Sequence, residues 1–85
     1  MIKKENIHSF RVMIEGTSRE GYHGFVPLLR GVHTQGKTIS ETKKNLREAI
    51  RCHIQGLLKD HVEIPSEENA FESIELFSTK DLQFA

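Results

Sequence analysis

The chain has no tryptophan, one tyrosine, two prolines and one cysteine in 85 residues. The lone cysteine, Cys52, excludes an internal disulfide and fits a reducing compartment. No apolar run approaches the roughly 20 residues needed to span a bilayer, so no membrane association is expected. The opening MIKKENIHSF has lysines but no apolar stretch behind them. A secretory signal is therefore not expected, and the cytoplasm is the expected location. Net charge is zero, which removes any general attraction to nucleic acid. Internal repeats and low-complexity tracts are also missing.

Apolar residues make up 36% and charged residues 28%, the balance of an ordinary folded domain. At this length only about 60–65% of the unfolded chain's surface can be buried, so the core is thin and a second copy would support it. The zero net charge also hides an asymmetry. Residues 1–52 carry ten Lys or Arg and five Asp or Glu; residues 53–85 carry two and seven. The acidic third either meets a basic partner, folds back on the basic part, or is simply solvated.

Residues 7–15, IHSFRVMIE, alternate with Phe10, Val12 and Ile14 on one side, a strand with one apolar face. GTSREG is a turn, GYHGFV a second strand, and VHTQ a short third one. Thr38 and Glu41 then have the spacing of a helix capping box. From there Ile39, Thr42, Leu46, Ala49, Ile50, His53 and Leu57 form an apolar stripe, predicting a helix over 39–59. Gly56, at the edge of that stripe, suggests close approach to a strand. Residues 60–70 are a polar link around Pro65. FESIELF, residues 71–77, has Ile74 and Leu76 on one face and reads as a last strand.

Chemical motifs are thin. Gly31 to Thr38 spells G-x-x-x-x-G-K-T, the letters of a phosphate-binding loop. Such a loop follows a buried apolar strand in a larger α/β domain, and here the preceding FVPLLR is broken by Pro27. The spelling is read as coincidence, and no cofactor is expected. The five histidines, His8, His23, His33, His53 and His61, include no helical i, i+4 pair, so no metal site is expected. Cys52 and His53 are adjacent on a helix and do not face each other as nucleophile and base. No serine has a nucleophile-elbow context, and Glu15 is a lone carboxylate, so no catalytic residue is assigned and the chain is not expected to be an enzyme. Lys44, Arg47 and Arg51 share one helix face, either as phosphate contacts or as a solvated stripe.

Taken together, GYHGFVPLLRGVHTQGKTISETKKNLREAIRCHIQGLLKD resembles the core of the HicB antitoxin family. The family pattern is a G-Y-x-A-x-V-P strand, a D-L-P-G-C-x-T-Q-G-x-T loop and an x-E-E-A-x-x-N-x-x-E-A-I helix. The matching residues are Gly21, Tyr22, Val26, Pro27, Gly31, Thr34, Gln35, Gly36, Thr38, Glu41, Asn45, Glu48, Ala49 and Ile50. Leu28, Arg30, Val32 and Lys37 depart from it and make the loop more basic. The resemblance implies an α+β fold, a small partial RNase H-like β-β-β-α-β domain. Its three- to four-stranded sheet would carry one long helix on one face. A single domain over 1–85 is expected, with a core at about 7–77 and a short tail at 78–85.

The resemblance also implies an antitoxin that binds and occludes a small basic HicA-like mRNA-cleaving toxin. The alternative is a stand-alone interaction module of the same fold with no toxin. A homo-oligomer, dimer or higher, is expected in either case. Glu63, Glu67, Glu68, Glu72 and Glu75 are the candidate partner-binding residues, suited to steering toward a basic surface. The tail Ser78–Ala85 is too short for a DNA-binding module, so autonomous DNA binding is not expected.

Overall fold

A computed structural model describes residues 7–67 and 71–83. Three strands, β1 (Met13–Thr17), β2 (Gly21–Phe25) and β3 (His33–Gly36), precede one helix, α1 (Ile39–Lys59). The strands form an antiparallel sheet in the order β1-β2-β3, and α1 packs on one face, an α+β arrangement.

The β1–β2 register pairs Met13 with Phe25, Ile14 with Gly24 and Thr17 with Gly21. Strand β1 starts later than the alternation suggests. Its ladder stops at Met13 because β2 cannot continue: the Val26 N–H is spent on the Val32 carbonyl at 3.2 Å, and Pro27 has no N–H. Residues 7–12 therefore lie outside the ladder, although Phe10 and Val12 still pack on the core. At its other end β1 extends through Gly16 and Thr17 into what reads as turn sequence. Gly16 has φ +138°, and a Cβ there would strike the Gly21 carbonyl, so only glycine fits.

The β2–β3 connection is part of the core. Leu29 N–H bonds the Val26 carbonyl and Val32 N–H bonds the Leu29 carbonyl, both at 3.1 Å. These turns point Val26, Leu29 and Val32 inward, where with Leu46 of α1 they are the buried hydrophobic residues. Phe10, Val12, Ile14, Ala49, Ile50 and Ile54 pack around them. The helix stripe thus runs through Leu46, Ile50 and Ile54, while Ile39 at its start is exposed.

Helix α1 begins as its sequence predicts. The Thr38 hydroxyl accepts from the Glu41 N–H at 3.0 Å. It ends in a Schellman arrangement, with His61 N–H to the Leu58 carbonyl at 3.2 Å and Val62 N–H to the Leu57 carbonyl at 2.8 Å. His61 holds the left-handed conformation there, φ 58°, a place glycine usually takes.

The glycines that permit close approach are Gly24 and Gly36, not Gly56. A Cβ on Gly24 would lie 2.7 Å from Leu46 Cδ1, and one on Gly36 would lie 2.7 Å from the Thr42 nitrogen. A Cβ on Gly56 meets nothing within 4 Å. The apolar stripe misplaced this contact because the helix meets the sheet through its first half.

Residues 71–77 pair with no strand of the sheet. The α+β class and strand–strand–strand–helix order hold, but the last strand expected at 71–77 does not form here. A strand needs a hydrogen-bonded neighbour, and this segment has none among the described residues. The radius of gyration is 17.5 Å, against roughly 12 Å for a compact chain of this length. That elongation accords with residues 71–83 being exposed throughout.

Candidate functional site

Most of the family-motif residues build scaffold. Asn45 Nδ2 donates to the Gln35 carbonyl at 2.8 Å, tying the helix to β3. Thr42, fully buried, donates from its hydroxyl to the Thr38 carbonyl at 2.7 Å. Gly36 gives Thr42 its space. Gly31, at φ +85°, lets the chain turn into β3. Val26 fills the core, Ala49 and Ile50 pack beside it, and Tyr22 and Thr34 are half-buried on β2 and β3. Gly21 opens β2 at φ +92°. Pro27 and Glu41 are exposed, and Glu48 pairs with Arg51 at 3.4 Å on the helix surface.

The Gly31–Thr38 stretch is not a phosphate cradle, since His33–Gly36 is strand β3. Along a paired strand the N–H groups alternate in direction, which does not make the concave cradle of a phosphate loop. Among the described residues no three His, Cys, Asp or Glu side chains cluster as metal ligands. His23 and His33 approach with ring centroids 5.6 Å apart on the sheet face away from the helix, and His23 stacks on Phe25 at 6.1 Å. Two imidazoles without a third ligand are short of a zinc site.

Two surfaces stand out. The first is a groove of about 700 Å³ between residues 8–12 and helix α1. Phe10, Val12, Leu46 and Ile50 make its apolar floor. Lys43, Lys44, Arg47 and Arg51 line it as well, so the basic stripe seen in the sequence edges an apolar groove. The apolar half was not apparent from the helix alone, because Phe10 and Val12 come from a distant stretch of chain.

The second surface is the acidic third. Arg11 holds its near end. The Arg11 backbone N–H donates to Glu67 Oε1 at 3.1 Å, and its guanidinium lies 3.9 Å from Glu67 Oε2 and 3.5 Å from Glu72 Oε2. Two of the five candidate carboxylates are thus turned back on the chain's own basic part. Glu63 and Glu75 are exposed and form no ion pair among the described residues; Glu68 lies outside them. Beyond the Arg11 clamp the chain exposes Phe71 (94%), Ile74 (85%), Leu76 (88%) and Phe77 (66%). That is a large contiguous apolar surface for seven residues.

The described residues form a small sheet-and-helix body with an apolar-basic groove and an acidic-apolar arm. A family model described as the HicB-like antitoxin of bacterial toxin–antitoxin systems matches residues 10–81. The chain belongs to that family. It is 36% identical over 67 residues to a UPF0150 protein of Synechocystis, covering 79% of this chain and 85% of that protein. A UPF0150 protein of Thermoplasma acidophilum is 47% identical over 47 residues, covering 54% of this chain and 68% of the relative. One from Helicobacter pylori is 38% identical over 50 residues, covering 59% and 69%. No solved structure matches the chain. Among the described residues no helix is long and apolar enough to cross a membrane.

Proposed function

We propose that this chain is a cytoplasmic antitoxin that neutralises a small basic, HicA-like RNA-cleaving toxin by covering its active surface. It acts by binding, without catalysis of its own. The observation that carries the reading is the exposed acidic stretch on a chain of an antitoxin family. Opposite charge raises the encounter rate and selects the partner. Glu63 and Glu75 are the exposed carboxylates offered to the toxin, while Glu67 and Glu72 are engaged by Arg11 at the near end of the stretch. Glu68 belongs to the stretch by sequence.

Co-expression with a small basic HicA-like toxin tests this reading. Relief of growth arrest and loss of RNA cleavage in a purified complex are expected. Glu63→Lys with Glu75→Lys should weaken the complex at least tenfold while leaving the helix signal in circular dichroism unchanged. Full cleavage in the presence of excess chain would overturn the reading. A stand-alone interaction module is the second reading. It is favoured by one observation: the groove and the exposed arm are complementary and lie on the same chain.

A further inference from the structure

Alternation along the ladders sorts the sheet into two faces. Gly24 and Gly36 look toward Leu46 and Thr42 of the helix. His23, Phe25 and His33 stand on the opposite face, where both histidines are exposed. The register pairs Phe25 with His33 and His23 with Gln35. The two histidines are thus diagonal neighbours, within side-chain reach. Their ring centroids are 5.6 Å apart. Phe25 stacks on His23 at 6.1 Å and 25°, which restricts that ring's rotation. Among the described residues neither imidazole is engaged in a hydrogen bond or an ion pair, so the ring nitrogens are open to a ligand.

That spacing is close to what a shared metal ion needs. Imidazole nitrogen binds zinc at about 2.0–2.1 Å, which sets two ring centres roughly 4.5–5.2 Å apart for right-angled to tetrahedral coordination. Small side-chain rotations close the difference. The backbone beneath is fixed, because β2 is the central strand and Asn45 ties β3 to the helix. A search for helical i, i+4 pairs misses these residues, since a ladder and not a helix brings them together. Glu15 is the register partner of His23, and Arg30 lines the depression beside the two rings, so the local charges offset. No third His, Cys, Asp or Glu is gathered with the pair. Two protein ligands leave the other coordination positions to water, the mark of an exchangeable site and not of a closed structural one.

We propose that His23 and His33 chelate a borderline divalent cation, copper(II) more tightly than nickel(II) or zinc(II). Each neutral imidazole gives one nitrogen lone pair, and no bond in the protein breaks. The bound ion clips β2 to β3 on the face away from the helix. The inference stands apart from the toxin reading, because it concerns the sheet face alone.

The test uses the purified full chain, free of any affinity tag, in a Cys52→Ser background so that the exposed thiol does not compete. Calorimetric titration with nickel(II) chloride should give one site per chain. His23→Gln and His33→Gln should each weaken binding at least tenfold with the helix signal in circular dichroism intact, while His8→Gln leaves it unchanged. The copper(II) complex should show nitrogen hyperfine structure from two imidazoles in paramagnetic resonance, lost in either variant. Nickel(II) should raise the urea midpoint of the parent chain and not of the variants. No uptake at millimolar nickel(II) overturns the proposal. So does binding indifferent to both variants, or a copper(II) spectrum that either variant leaves unchanged. Toxin neutralisation is measured separately, so either reading can fail while the other stands.

Discussion

The body from Phe10 to Lys59 and the stretch from Asp60 to Gln83 use apolar residues in opposite ways. In the body, Leu29, Val26 and Leu46 are buried almost completely, and the close helix–sheet contact depends on two glycines. In the C-terminal stretch, Phe71, Ile74 and Leu76 are exposed almost completely. Both regions contain the residue types that make cores. Among the described residues, only the first has its apolar complement in the same chain. The lesson is that apolar patterning specifies a need for burial and leaves open which molecule satisfies it.

The sharpest way to break this contrast is to remove one leucine or isoleucine from each region. Leu46→Ala should cost about 2–5 kcal/mol through lost burial and the cavity left behind. Ile74→Ala, measured at a dilution where the chain is monomeric, should stay within about 0.5 kcal/mol, the range of surface changes. Urea unfolding of both variants decides the matter. Equal losses would show that the arm is as much core as the helix.

Gly36→Ala probes the close contact and should cost about 1–3 kcal/mol by overpacking. The added methyl would meet Thr42 backbone, which cannot rotate away. Gly24→Ala should cost less, because its nearest neighbour is the far end of the Leu46 side chain. Thermal melts that rank these two the other way would contradict the packing described.

Asn45→Ala removes the bond to the Gln35 carbonyl and should cost about 1 kcal/mol. Amide exchange should then quicken in β3 before β1. Uniform quickening would mean that Asn45 does not act locally.

His61→Gly has the smallest expected effect and the opposite sign. Relief of the left-handed strain, offset by added freedom in the unfolded chain, should stabilise by about 0.5 kcal/mol. A loss of stability would place the value of His61 in its side chain.

The sequence was informative where signals are local. The capping box at Thr38 and the 3.6-residue stripe located α1 over Ile39–Lys59, because both are short-range consequences of helix geometry. The hairpin followed from alternation broken by GTSREG. Leu29 escaped notice because it lies in a turn-rich segment, where period-two and period-3.6 patterns both fail. Gly56 misled because a glycine near an apolar stripe looks the same whether or not a strand lies against it.

The candidate site was only partly legible for the same reason. Carboxylates at 63, 67, 72 and 75 are visible as letters, but Arg11, 56 residues upstream of Glu67, decides which of them turn inward. The groove joins residues 8–12 to residues 40–51, and no local pattern connects them.

By itself, then, the sequence determined the helix, its N-cap, the hairpin, the charge asymmetry and the resemblance to an antitoxin family, all carried by short-range periodicity and spacing. Only the tertiary structure decided that Gly24 and Gly36 set the helix against the sheet, that the basic stripe edges an apolar groove, and that the apolar side chains of residues 71–77 stay exposed. These depend on which distant surfaces meet, and burial is non-directional until the fold brings the surfaces together.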